Sequence, residues 1–161
     1  MEYTRRDLCT LLPSALLPCA LLAEALTASA QTAAPEGASP AVAGLIESGP
    51  YSWDSFVAKV SANGASTSRA IFKGKLATGE SVEVHETTLA VGGSPHPPHH
   101  HLHSEMLLIR EGTLEFTVNG KSSTVGPGSV AFAASNDEHG AKNAGDKPTT
   151  YFVVAIGPGA V

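Results

Sequence analysis

Residues 93–112 read GSPHPPHHHLHSEMLLIREG. Five of the seven histidines of the chain fall between His96 and His103, and Glu105 follows them closely. Side chains alternate along an extended backbone, so His99 and His101 project from one face with Cα atoms about 6.6 Å apart. Two imidazoles at that spacing can converge on one ion at about 2.0–2.1 Å per bond. His100 then points to the opposite face, and Pro95, Pro97 and Pro98 stiffen the approach. Glu105 opens the next extended run, where its carboxylate can fold back toward the same ion. Gly93 and Gly112 let the chain turn at either end of the unit. His96, His100 and His103 are read as loop, outward-facing or supporting residues. A fourth donor has to come from farther away, and His139 and His85 are the distant candidates.

Outward from this stretch the chain reads as strands. Ser68–Lys73, Ser81–Leu89, Glu105–Glu111, Thr113–Asn119, Lys121–Val125, Ser129–Ala133 and Thr149–Ile156 are short and rich in β-branched or aromatic residues. Gly, Pro or Asn bounds them. Leu114, Phe116 and Val118 alternate with polar neighbours, the period of a half-buried strand. Asn119-Gly120 supplies two residues that tolerate positive φ in a tight hairpin. Leu107, Ile109, Phe116, Val130 and Phe132 are the expected apolar wall. The pattern predicts an all-β domain, an antiparallel sandwich or barrel.

The run Gly93-x5-His99-x-His101-x3-Glu105-x6-Gly112 resembles the first cupin motif at every defined position. Gly128-x5-Ala134-x-Asn136-x2-His139-x3-Asn143 resembles the second, with Ala134 where that motif has Pro and Asn136 where it has Gly. Asn tolerates left-handed backbone, so the turn at Asn136 is expected to survive. The resemblance implies a small antiparallel double-sheet jelly-roll barrel over residues 51–161, with His99, His101, Glu105 and His139 as the ligands of one divalent metal ion. It also implies a small-molecule substrate or ligand and a homodimer.

Three imidazoles and a carboxylate suit Mn, Fe, Co, Ni, Cu or Zn rather than ions that want oxygen alone. Glu105 is a catalytic candidate as well as a ligand. Val82 and Val84 suggest an apolar face on Ser81–Leu89. The same parity turns Glu86 inward, where burial would raise its pKa and make it a candidate general base; the alternative register turns His85 inward. Two function classes stay open. One is a metalloenzyme of oxygenase, isomerase, decarboxylase or lyase type; the other is a non-catalytic cupin that binds a metal or small ligand.

The N-terminus reads as an export signal. Residues 1–30 carry Arg5-Arg6, an apolar run from Leu11 to Leu26 interrupted by Pro13, Pro18 and Glu24, and a small-x-small site at Ala28-Ser29-Ala30. A membrane span wants about 20 consecutive apolar residues, so no stable anchor is expected after cleavage. TRRDL at residues 4–8 resembles a twin-arginine signal, which implies the bacterial periplasm or the extracellular space. Both cysteines, Cys9 and Cys19, lie in this segment. Its removal would leave neither a disulfide nor a thiolate ligand. Folded export would allow cytoplasmic loading of Mn²⁺ or Fe²⁺, with Ni²⁺ or Zn²⁺ behind, before the tighter-binding metals compete. Residues 31–50 are rich in Ala, Pro, Gly and Ser and read as a flexible linker. A net charge of −5, with lysines and arginines scattered apart from Arg5-Arg6, argues against a nucleic-acid partner.

Overall fold

The computed structural model describes residues 44–161. The export-signal reading of residues 1–30, and the linker up to residue 43, lie outside the described residues. Nine strands occur among those described: β1 (Ala58–Val60), β2 (Ser66–Lys75), β3 (Ser81–Leu89), β4 (Ser104–Glu111), β5 (Leu114–Val118), β6 (Lys121–Val125), β7 (Val130–Ala133), β8 (His139–Asn143) and β9 (Thr149–Ile156). A single 3-10 turn at Trp53–Ser55 precedes them. The strands form a six-stranded sheet in the order β1-β2-β3-β9-β4-β7 and a three-stranded sheet in the order β6-β5-β8. Every strand pairing is antiparallel. The last strand inserts between β3 and β4, which makes this a jelly roll rather than a simple meander. No helix among the described residues is long and apolar enough to cross a membrane.

Directly paired residues of antiparallel strands share a sheet face, so the registers identify which side of the large sheet is the barrel interior. Leu107 pairs with Val153 and Ile109 with Tyr151, and all four belong to the buried core together with Leu89, Leu114, Phe116, Ala131 and Ala133. The expected wall residues Leu107, Ile109 and Phe116 are therefore interior. Val130 and Phe132 are not: they are 56% and 54% exposed, and Ala131 and Ala133 face the core instead. A one-residue change of parity moves every side chain of a strand to the other face. Here Glu105 pairs with Ala133, and Leu107 with Ala131, which sets the parity of β7.

The N-terminal part of the domain packs outside the barrel. Tyr51 packs against Phe72 with ring centroids 4.9 Å apart and planes tilted by 49°. Residues 44–46 lie inside the stretch read as linker, yet they pair with the end of β2. Lys75 N–H donates to the Gly44 carbonyl at 2.8 Å, and Ile46 N–H to the Lys75 carbonyl at 2.9 Å. Gly74, which has no side chain, lets the Gly44 carbonyl approach this closely.

Two strands have no counterpart in the sequence reading. β1 is three exposed residues held by β2. β8, HGAKN, lacks an alternating apolar pattern and becomes a strand by pairing with β5. The β5–β6 hairpin closes through Asn119 (φ 47°) and Gly120 (φ 75°), as the Asn-Gly pair predicts.

Candidate metal centre

The first histidine motif occupies the connection from β3 to β4 and is stitched to β8. His99 N–H donates to the His139 carbonyl at 3.0 Å, and His139 N–H returns to the His99 carbonyl at 2.8 Å. Asn136 N–H donates to the His101 carbonyl at 2.8 Å, from a left-handed residue at φ 65°. That turn survives the Asn-for-Gly departure, as its tolerance of positive φ predicts. Asn143, 1% exposed, closes the far end. Its Nδ2 lies within 3.2 Å of the Leu89, Ala90 and Lys147 carbonyls, and its Oδ1 accepts from Gly145 N–H. At Gly112 (φ 81°) an added Cβ would collide with Thr149 Oγ1 and the Pro148 carbonyl, so this turn requires glycine.

These constraints bring His99, His101 and His139 together, with one ligand nitrogen from each lying within 4.8 Å of the others. Glu105 approaches two of these rings from β4. Its Oε2 is 2.8 Å from His139 Nε2 and 3.4 Å from His101 Nε2. His139 is 3% exposed. Ala133 and Ala155, both buried, flank Glu105 in its cross-strand row and leave room around the carboxylate.

The second nitrogens decide what this arrangement fits. His101 Nδ1 lies 2.8 Å from the His103 carbonyl, and His139 Nδ1 lies 2.9 Å from the Asp137 carbonyl. A carbonyl only accepts, so each Nδ1 carries the proton and a neutral ring presents an Nε2 lone pair. Two lone pairs facing one carboxylate oxygen repel unless positive charge stands among them, as a proton or a cation. Burial, then the neighbouring His96, His139 and His101, push His99 down to about 4. That ring is therefore a neutral donor at pH 7. Neutral imidazoles oriented by backbone carbonyls, with a carboxylate, are the donor set of a divalent transition-metal site. The two orienting carbonyls are backbone atoms with no signature in the sequence.

The remaining histidines stand around this cluster. His103 stacks on His101 at 3.5 Å between centroids, and His96 meets His99 edge-on at 4.2 Å. His85, the other distant candidate, lies on β3 with Nδ1 3.4 Å from Glu83 Oε1.

Glu86 is placed elsewhere, and its expected position in the barrel is corrected. It pairs with Arg69 on β2 and Phe152 on β9, on the face opposite Leu107 and Glu105. There it is 1% exposed, with Arg69 Nη1 at 3.4 Å and Arg110 Nη1 at 3.2 Å. The Trp53 ring covers both guanidinium groups at 4.6 and 5.6 Å. Burial raises the pKa of Glu86 against the pull of Arg110 and Arg69. The expectation failed because Val82 and Val84 belong to an outer face that the N-terminal segment also covers. Apolar residues on both faces of β3 hide which one is interior.

Comparison with known proteins agrees with this fold. Residues 85–155 match the family model described as the cupin domain. No curated protein is significantly similar in sequence. Among solved structures, an RmlC-like cupin from Shewanella frigidimarina is 16% identical with a TM-score of 0.55, the alignment covering 68% of this chain and 91% of that one. A predicted oxalate decarboxylase from Thermotoga maritima is 20% identical with a TM-score of 0.55, over 64% of this chain and 94% of that one. KdgF from Halomonas is 13% identical with a TM-score of 0.57, over 68% and 94%. With its two antiparallel sheets, the domain model matched over residues 85–155 and these structural neighbours, the chain carries a cupin domain with the cupin fold.

Proposed function

We propose that this chain is an exported cupin metalloenzyme that holds one divalent cation through His99, His101, His139 and Glu105 and acts on a small organic molecule. The observation that carries the reading is the approach of one Glu105 oxygen to two imidazole nitrogens whose other nitrogens already donate to backbone. When bound, a divalent ion in such a site supplies Lewis acidity to a ligand oxygen or a binding position for dioxygen. The chain's own part is to aim the ring nitrogens and the Glu105 carboxylate at one another and hold all four donors on elements cross-linked by hydrogen bonds. Glu105 is the residue assigned to the reacting centre. The relatives include a predicted oxalate decarboxylase, but a shared fold does not choose among oxygenase, decarboxylase, isomerase and lyase chemistry.

Residues 1–30 are proposed as a twin-arginine signal, on the strength of Arg5-Arg6, the short apolar run and Ala28-Ser29-Ala30. Delivery of a folded protein to the periplasm or beyond supports Mn²⁺ or Fe²⁺ as the resident ion. A homodimer is proposed through β7, the edge of the large sheet, where Val130 and Phe132 are exposed. Elemental analysis of protein purified without added metal tests the central reading. Stoichiometric Mn or Fe is expected; stoichiometric Cu or Zn overturns the loading argument, and failure to bind any divalent ion overturns the site.

A further inference from the structure

The inner face of the large sheet carries a second polar group that the four-donor cluster does not use. One cross-strand row runs from Lys73 on β2 through Glu83 on β3, Ala155 on β9 and Glu105 on β4 to Ala133 on β7. Glu83 and Glu105 therefore project from the same face of the sheet, on either side of Ala155. Two strand spacings set their Cα atoms about 10 Å apart, a gap that a molecule of a few carbons can bridge. The next row brings His85 onto this face beside Val153 and Leu107.

Glu83 and His85 are paired with each other. His85 Nδ1 is 3.4 Å from Glu83 Oε1, and Lys73 Nζ is 3.6 Å from Glu83 Oε2. His85 Nδ1 is buried and lacks a well-formed hydrogen bond. Ligand-facing hydrogen bonds are commonly long before the ligand arrives and tighten on binding. The side chains of His85 and Glu83 keep 26% and 34% of their surface exposed, beside the buried Val153, Leu107 and Ala155. Polar groups with solvent access, among buried apolar neighbours, mark the side from which a ligand can enter.

We propose that Glu83 and His85 form the far wall of the ligand-binding space and receive the hydroxyl-bearing end of a small hydroxy acid whose carboxylate ligates the cation. This rests on the metal-site reading above. The chemistry at each end selects the class. A divalent ion attracts an anionic oxygen. The Glu83 carboxylate disfavours a second anion but accepts a hydrogen bond from a hydroxyl. With its Nδ1 proton turned to Glu83, His85 offers an Nε2 lone pair to another hydroxyl. Lys73, already paired with Glu83, balances its charge.

The test is calorimetric titration of the full chain, loaded with one equivalent of Mn²⁺, using D-gluconate and hexanoate as probes of equal carbon number. Gluconate is expected to bind about tenfold or more tightly than hexanoate, as one or two net hydrogen bonds predict. Glu83→Gln and His85→Gln are each expected to bring the two probes within about threefold while leaving Mn²⁺ affinity within about threefold of the parent. Should one variant fail to fold, the other still decides. Equal affinity for the two probes, binding of neither, or an intact gluconate preference in a folded variant overturns the inference. Failure of the unsubstituted chain to take up Mn²⁺ or any other divalent ion overturns the metal reading, a result distinguishable because it appears before any probe is added.

Discussion

Glu105 and Glu86 stand on the same six-stranded sheet, on opposite faces, and both are withdrawn from water. Glu86 lies between two guanidinium groups that are charged at every pH the fold survives. Its counter-charge is built in. Glu105 faces imidazoles whose protons point away to backbone carbonyls. Its charge is matched by a proton on one of those rings or by a bound cation, not by a guanidinium. Burial alone does not separate a structural acid from a functional one; the source of the compensating charge does.

The largest effect expected from breaking this contrast is on the Glu105 side. Removal of a donor, in His139→Ala or Glu105→Gln, is expected to weaken Mn²⁺ binding by more than the roughly 10–100-fold that loss of an outer-shell partner costs. Mn²⁺ at about 1,000 times its dissociation constant should stabilise the parent by about 4 kcal/mol and the variants far less. Thermal melts with and without Mn²⁺ read this directly. An equal Mn²⁺ response in parent and variants would remove Glu105 and His139 from the site.

A second, smaller effect comes from the space around Glu105. Ala133 is fully buried in the row beside it. Ala133→Leu inserts three carbons there and is expected to cost about 1–3 kcal/mol by overpacking. Mn²⁺ affinity should fall with it. The same enlargement next to Glu86 meets exposed surface and the Trp53 ring rather than a sealed core. A denaturant titration that finds Ala133→Leu neutral would mean that the barrel interior is looser than its burial indicates.

On the Glu86 side the expected effects are modest and their sign depends on pH. Burial lifts Glu86 above the ordinary glutamate value of 4.5 despite Arg110 and Arg69. The folded chain therefore holds that proton more tightly than the unfolded chain. The resulting stability is complete below about 4.5 and is lost as pH rises through the raised value. Glu86→Gln, which keeps the shape without the titration, should match the parent at low pH. At pH 7 it should equal or exceed the parent by up to about 1 kcal/mol, as replacement of buried ion pairs often does. Arg110→Met leaves the buried acid with one partner and should cost about 1 kcal/mol at pH 7, a figure held down because Arg110 is half exposed. That cost should fade in acid. A Glu86→Gln penalty that grows with pH would reverse this reading of the cluster.

The same contrast explains what was legible in the sequence. The His-x-His spacing and the nearby Glu105 mark the cluster because strand alternation places the two rings on one face. In the fold the rings of His99 and His101 meet at 5.1 Å. Seven strands, the Asn119-Gly120 hairpin and the left-handed turn at Asn136 also follow from local chemistry. The misreadings share one cause. β8 owes its extended form to β5 and the His99–His139 bridge. The parity of β7 is set by pairing with β4, and the orientation of Glu86 by a covering segment distant in sequence. Each is decided by a partner strand or layer, which no local pattern records.

The smallest effect on folding is expected at the outer edge of the same sheet. Phe132 pairs with Met106 on the face opposite Glu105 and is half exposed. Exposed apolar side chains contribute little to the free energy of a single chain, so Phe132→Ser should change unfolding by no more than about 0.5 kcal/mol in dilute solution. The proposed β7 interface adds a second, independent readout. If two copies meet there, light scattering should show the parent as a dimer and Phe132→Ser shifted toward monomer, because a two-fold contact loses the residue twice. A dimer that survives the substitution would place the interface elsewhere. A monomeric parent would leave the exposed face of β7 as an apolar patch protected only by the shortness of its strand.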